Sequence, residues 1–189
     1  MFDTMRIISG NYKGRKLISG KDQRIRPTTD RVKEVIFNVL DDFPLNKFVV
    51  DIFSGSGSLG LEALSRGARG VIFVEKARSS ISVLEYNIGA LNISEEQYSI
   101  VQSDAIQFVS QAVTPFDLVF MDPPFVYPQL QNLIDKAFSG TFVHERSLIV
   151  VEHEKTNPIN AESSLYTIIK QKKIGRSLIS FIMKRENHE

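Results

Sequence analysis

Residues 49–60 read Val49-Val50-Asp51-Ile52-Phe53-Ser54-Gly55-Ser56-Gly57-Ser58-Leu59-Gly60, and this stretch decides the fold. A short apolar run reaches Asp51, a turn of small residues follows, and residues 59–68 read as a helix. Three glycines at this spacing suit a strand that enters a helix through a tight turn. Gly55 tolerates a positive φ, Gly57 lets a ligand approach the backbone, and Gly60 lets the helix pack close on the strand. A plain strand–helix turn that binds nothing would use the same residue types. Glu75 argues for a ligand. It closes the apolar run Val71-Ile72-Phe73-Val74 about 20 residues after the first glycine, where such folds place the carboxylate that accepts from ribose hydroxyls. The expectation is a nucleotide-like cofactor held by Asp51, Phe53, Ser54, Gly55, Ser56, Gly57, Gly60 and Glu75.

A second apolar run, Phe116-Asp117-Leu118-Val119-Phe120-Met121, ends in Asp122-Pro123-Pro124-Phe125. Two prolines cannot continue a strand ladder, because neither has an N–H and both fix φ. They make a rigid corner that aims the Asp122 carboxylate, the backbone carbonyls and the Phe125 ring. A nicotinamide dehydrogenase has no use for such a corner, whereas a methyltransferase acting on a planar exocyclic amine does. The lone pair of that amine is delocalised into its ring. Acceptors must hold the amine hydrogens, and an aromatic face must hold the base.

Outward from these two stretches, strands alternate with helices. Strands are expected at 47–53, 71–75, 98–102, 117–121 and 147–152, with helices at 59–66, 78–91, from 105, and at 129–138. Two further strand-like runs, 166–170 and 178–184, flank Lys172-Lys173-Ile174-Gly175-Arg176 as an antiparallel edge hairpin. The class is α/β, a doubly wound Rossmann-like sheet. Ser103 and Asp104 end the third strand beside the cofactor pocket, and Asp104 is equally placed to cap the helix that follows.

The 189 residues are expected to form a single domain, with 5–33 as a basic extension and 34–189 as the catalytic core. The chain has no cysteine, which excludes disulfides, thiolate metal sites and any cysteine nucleophile. No apolar run approaches a membrane span and no signal-like leader precedes the domain, so a cytoplasmic protein without membrane or metal partners is expected. The net charge of +1 hides an asymmetry: residues 1–33 hold nine Lys and Arg against three Asp, and the remainder is net acidic. Residues 6–10 and 15–18 read as a small ribbon around Asn11-Tyr12-Lys13-Gly14. Arg6, Tyr12, Lys13, Arg15, Lys16, Arg24, Arg26, Thr28, Thr29 and Arg31 are the candidate polyanion contacts, suited to phosphates and base stacking. A helix capped at residues 28–30 should bury Val32, Val35, Ile36, Val39 and Leu40. His144, His153 and His188 occur singly and are read as structural or surface residues.

The set resembles the S-adenosylmethionine-dependent methyltransferases of the seven-stranded type, and within them the bacterial RsmD family. The resemblance rests on residues 5–10 (MRIISG), 26–32 (RPTTDRV), 51–68 (DIFSGSGSLGLEALSRGA), 122–125 (DPPF) and 150–153 (VVEH), and so covers almost the whole chain. It implies methylation of the 2-amino group of a guanine in small-subunit ribosomal RNA, within a ribosomal particle, by a monomer. It further implies that Glu75 binds the cofactor ribose and Asp104 its adenine. Asp122 and the Pro123 carbonyl would take the amine hydrogens, with Phe125 stacked on the base. Phe125 stands where the family more often has Tyr, and Ile174 and Ile182 stand where aromatic residues are common. Methylation of an adenine amine on DNA, or of a protein glutamine, would use the same kind of corner.

Overall fold

The computed structural model describes residues 5–19, 29–124 and 127–185. Strands β1 (Met5–Arg6) and β2 (Lys16–Leu17) pair antiparallel as a two-stranded ribbon, and helix α1 (Asp30–Leu40) follows. The main sheet is built from β3 (Phe48–Ile52), β4 (Gly70–Glu75), β5 (Tyr98–Gln102), β6 (Phe116–Met121), β7 (Val143–Glu154), β8 (Tyr166–Ile174) and β9 (Ser177–Lys184). Helices α2 (Ser58–Ser65), α3 (Arg78–Leu91), α4 (Ala105–Gln111) and α5 (Leu130–Ser139) connect its parallel strands. The strand order is β5-β4-β3-β6-β7-β9-β8, parallel from β5 to β7, with β9 and β8 antiparallel.

The doubly wound class is therefore found, and the alternation along β3 shows how it arises. Val49 faces a cluster with Leu59, Leu61, Leu64, Leu84 and Ile88 from α2 and α3. Val50 and Ile52 face a second cluster with Val109, Leu133, Ile134 and Phe138 from α4 and α5. Both faces of the sheet are covered by helices, which is the condition a parallel sheet requires. The order reverses between β3 and β6, where the connection from α4 crosses back over the sheet. The crevice outside the carboxyl ends of these two strands is the ligand position of such folds.

The principal differences from the sequence expectations are local. β7 runs well beyond residues 147–152, because antiparallel pairing with β9 carries it on to Glu154. On α1 the fully packed positions are Val32, Lys33, Ile36, Phe37 and Leu40, while Val35 and Val39 are half-buried. Lys33, counted by charge with the basic extension, has no exposed side-chain surface. Its ammonium donates to the Arg6 carbonyl and lies 3.6 Å from Asp30, so it is a buried tie and not a polyanion contact. Burial is the main influence pulling its pKa below the ordinary lysine value.

The N-terminal ribbon is a docked element. Glu62 on α2 is wholly buried, and its carboxylate accepts from the backbone N–H groups of Ile8 (2.8 Å) and Ser9 (3.1 Å) and from Arg66 Nε (2.9 Å). One turn on, the Ser65 hydroxyl accepts from Tyr12 N at 3.0 Å, and the Ser65 carbonyl accepts from Asn11 N at 2.8 Å. Gly10 is required at this contact: its φ is +81° and a Cβ there would lie 1.8 Å from the Ser65 carbonyl oxygen. On α3, Asn87 donates to the carbonyls of Ile18 (3.0 Å) and Ser56 (2.9 Å) and accepts from Ile18 N (2.9 Å). One amide group thereby links the ribbon to the glycine loop.

Replacing Glu62 by Ala would leave two backbone donors without an acceptor and Arg66 without its partner. A loss of about 2–4 kcal/mol is expected, read as a lowered urea midpoint with an unchanged m value. A midpoint equal to that of the wild type would show that the ribbon is held by other contacts.

Candidate active site

At the carboxyl ends of β3, β4, β6 and β7, a cavity is lined by Asp51, Phe53, Ser54, Gly55, Ser56, Ser58 and Leu59, with Glu75 beside them. Asp122, Pro123 and Pro124 close a second side, together with Tyr127 and Leu130. Glu152, His153, Glu154 and Asn157 form the third, and Thr29 and Val32 of α1 reach in from the ribbon side. The register explains the meeting of the two motifs. Ile52 of β3 pairs with Met121 of β6, so the glycine loop and the Asp122 corner leave neighbouring strands side by side.

Asp51 anchors the loop. It is buried, and its Oδ2 accepts from Gly60 N at 2.8 Å. Burial pushes its pKa from the ordinary 3.8 up to about 7, against the Gly60 hydrogen bond and with a small further rise from the Glu75 charge. Gly60 performs its expected role, since a Cβ there would lie 2.3 Å from the Phe73 ring. Gly55 takes the expected positive φ, +53°, and a Cβ there would make an ordinary 3.8 Å contact with the Phe53 carbonyl oxygen. The expected role of Gly57 is corrected. Its φ is +84° and a Cβ would lie 2.3 Å from Leu84, so its missing side chain admits α3 and not a ligand. Phe53 also has positive φ, +63°, a strained conformation for a non-glycine residue, and its ring meets Tyr127 edge-on at 5.0 Å.

Glu75 is held by three backbone donors: Gly55 N (3.0 Å) to Oε2, and Lys76 N and Ala77 N (both 2.8 Å) to Oε1. Its carboxylate thus spans from β4 to the glycine loop and retains lone pairs on Oε2 toward the cavity. Asp104 caps α4, accepting from Ile106 N at 3.0 Å, and pairs with Lys76 at 3.3 Å. The capping role is the one observed, and the carboxyl is held below its ordinary pKa by Lys76 and backbone donors, which outweigh desolvation. Gly57, Gly60, Ser103 and Asp104 do not line the cavity; Asp104 stands close enough to raise the Tyr127 phenol pKa, after burial.

Among the polyanion candidates, Arg6 pairs with Asp30 at 3.1 Å and the Arg15 guanidinium donates to the Ala90 carbonyl. Lys13, Lys16 and Arg31 are exposed and Tyr12 is half-buried. Thr29 supplies the expected cap of α1, its hydroxyl accepting from Val32 N at 3.3 Å, and it also lines the cavity. Arg24, Arg26, Thr28 and Phe125 lie outside the described residues.

His153, read from sequence as structural, is buried and hydrogen-bonded, and it also lines the cavity. Its Nδ1 lies 3.2 Å from the carbonyls of Glu154 and Asn157, and its Nε2 lies 2.9 Å from Ser180 Oγ. Two carbonyls require a proton on Nδ1, so the Ser180 hydroxyl donates to Nε2. Burial lowers the pKa, and the ring is a neutral strut. Sequence reading missed Tyr127, Glu152, Glu154 and Asn157 as lining residues. The strand-end rule that found Glu75 would have found Glu152, whereas Tyr127 carries no local signal.

The donor set fits a nucleoside-bearing sulfonium such as S-adenosylmethionine. The Ser54 and Ser58 hydroxyls are buried at the cavity and have no protein partner among the described residues, so polar ligand atoms would complete them. Carboxylates at Glu75, Asp122 and Glu152 suit a positively charged ligand.

Residues 5–183 match a family model described as "Conserved hypothetical protein 95". A Haemophilus influenzae protein named ribosomal RNA small subunit methyltransferase D is 37% identical over 90% of this chain and 89% of its own length. The Escherichia coli protein of the same name is 36% identical over 91% and 86%. The chain belongs to the RsmD family. A solved Escherichia coli methyltransferase structure superposes with a TM-score of 0.84 at 33% identity, covering 97% of this chain and 99% of that one. Membership in this methyltransferase family accounts for the joint presence of the glycine loop and the Asp-Pro-Pro corner. Among the described residues, no group of His, Cys, Asp and Glu could hold a metal ion, and no helix is long and apolar enough to cross a membrane.

Two outcomes follow from the site geometry. Glu75→Ala should weaken S-adenosylhomocysteine binding by about 1–3 kcal/mol, measured by calorimetry, and also lower thermal stability, because the Gly55, Lys76 and Ala77 donors lose their acceptor. Unchanged affinity would remove the ribose assignment.

The second outcome concerns pH. The folded pKa of Asp51, about 7, lies above its ordinary 3.8, so the folded protein binds this proton more tightly than the unfolded chain. That contribution is complete below about pH 4 and is lost as pH rises to about 7, by at most about 4 kcal/mol. Asp51→Asn should flatten this part of the ligand-free stability profile, and an unchanged slope would assign the pH dependence to other groups.

Proposed function

We propose that this protein transfers a methyl group from S-adenosylmethionine to the exocyclic 2-amino group of a guanine in small-subunit ribosomal RNA. The observation that carries the reading is the convergence of the Asp122-Pro123-Pro124 corner with the Ser54–Gly55 loop and Glu75 in one cavity. The names of the relatives, small-subunit ribosomal RNA methyltransferases, support the substrate class.

The cofactor supplies an electrophilic methyl on a sulfonium, and the chain's residues bind, orient and exclude water. Glu75 would accept from the ribose hydroxyls, with Ser54 and the Gly55 backbone holding the amino-acid part. Tyr127 and Phe53 form the apolar wall, and Asp104, outside the cavity lining, would reach the adenine edge only from its cap position on α4. The guanine leaves its stack to reach the pocket, because a stacked amine cannot align for in-line attack. Asp122 and the Pro123 carbonyl would accept hydrogen bonds from the amine, which turns its lone pair toward the methyl group; transfer would leave S-adenosylhomocysteine, and the alkylated nitrogen would then release one proton. Phe125 stacks on the base. Rate enhancement comes mainly from positioning, since direct displacement needs no covalent intermediate.

The test is labelled methyl transfer to small-subunit particles from a strain lacking this protein, followed by nucleoside analysis. The expected product is N2-methylguanosine; N6-methyladenine in DNA or methylated glutamine in protein would overturn the reading. In the same assay Asp122→Ala should keep S-adenosylhomocysteine affinity and lose turnover by 100-fold or more, on the order of a lost orienting group. Wild-type turnover in Asp122→Ala would dismiss the amine-orienting role.

A further inference from the structure

Charge along the chain is not divided simply between a basic N-terminal extension and an acidic remainder. Residues 163–185 contain Lys170, Lys172, Lys173, Arg176, Lys184 and Arg185 and no acidic residue. Most of this charge is at one end of the β8–β9 hairpin, where Gly175 takes a φ of +57° to close the turn. The antiparallel register puts that end on the catalytic side of the sheet. Ser177 pairs with Glu154, the last residue of β7, and Ile174 pairs with Ser177.

Two cross-strand rows connect the hairpin tip to the pocket. Glu152 pairs with Ile179, which pairs with Lys172; His153 pairs with Leu178, which pairs with Lys173. Glu152 and His153 both line the cavity. Two strand spacings place Lys172 and Lys173 about 10 Å from the cavity wall. Lys155 joins them from the end of β7, where its N–H donates to the Arg176 carbonyl at 3.3 Å. All three lysines are exposed, and no ion pair to an acidic side chain is found for them among the described residues.

Lys173 is the neighbour that does most to hold the Lys155 ammonium below its ordinary pKa. A polyanion laid across the tip relieves their repulsion and gains both contacts.

We propose that the tip of the β8–β9 hairpin, through Lys155, Lys172 and Lys173, is a second RNA-phosphate site beside the catalytic pocket. The inference rests on the RNA-methyltransferase reading above. The ribbon is docked on α2 and α3, over the β3–β5 half of the sheet, and the hairpin extends the sheet beyond β7. The RNA backbone is therefore held on both flanks of the pocket, with the flipped guanine between the two anchors.

The experiment is a salt titration of binding to small-subunit particles lacking the modification. It compares the wild type with Lys155→Gln/Lys172→Gln/Lys173→Gln. A control of equal charge change is Lys47→Gln/Arg69→Gln/Lys136→Gln, whose positions lie at the opposite end of the sheet. S-adenosylhomocysteine affinity and melting temperature are measured in parallel.

The hairpin variant should bind particles at least 10-fold more weakly at low salt. The magnitude of its log K against log salt slope should fall by about 2, as expected for about three lost phosphate contacts. Cofactor affinity should be unchanged, and the melting temperature unchanged or slightly raised by the removed repulsion. The control should keep the wild-type slope, and Lys155→Arg/Lys173→Arg should retain it. A wild-type slope in the hairpin variant, with wild-type particle binding intact, overturns this inference alone. Equal loss in the control variant also overturns it, by reducing the effect to net charge. A wild type that binds no particle and methylates protein or DNA overturns both this inference and the proposed function.

Discussion

The close approach of α2 to the strands beneath it is the constraint on which the rest of the structure depends. All eight residues of α2 are buried. Gly60 permits the approach, because any Cβ there would enter the Phe73 ring, and Asp51 fixes it by accepting from Gly60 N at 2.8 Å. With the helix start held against β3, the intervening turn has one course, and Phe53 accepts a left-handed backbone to follow it. The Glu75 carboxylate then ties the same turn to the end of β4. The cavity wall is thus tied by hydrogen bonds from within the protein, which suits a site that works by positioning.

The same helix organises the N-terminus. Its outer face presents Glu62 and Ser65 to the ribbon backbone, and the neighbouring helix presents Asn87. These side chains pair part-buried backbone groups of the ribbon, which is therefore docked by hydrogen bonds as well as by its apolar residues Met5, Ile7 and Leu17. Because Asn87 also donates to the Ser56 carbonyl, the ribbon and the glycine loop share one anchor. The ribbon and the loop at the cavity are joined through a single buried amide.

Electrostatically the molecule separates its signs. Carboxylates collect inside the cavity at Asp51, Glu75, Asp122 and Glu152, while exposed cations stand on the ribbon and on the hairpin tip. Acidic walls suit a sulfonium cofactor and basic rims suit a phosphate backbone. The separation also keeps the two ligands of opposite charge from competing for one surface.

What the sequence by itself determined is local and periodic. The glycine spacing announced a strand–turn–helix unit, the apolar runs announced the strands, and Asp122-Pro123-Pro124 announced the corner, because each follows from dihedral limits or from side-chain alternation within a few residues. It also placed Gly60 and Glu75 at their observed positions. Only the tertiary structure decided which way each side chain was used. Gly57 makes room for Leu84 and not for a ligand, Lys33 is a buried tie and not a surface charge, and Thr29 turns to the cavity. The Phe53–Tyr127 ring contact and the approach of Lys155 to the hairpin tip were equally illegible, since each depends on segments brought together by strand order and register. Such contacts are made between residues far apart in the chain, and no pattern within a window of sequence encodes a distance across the sheet.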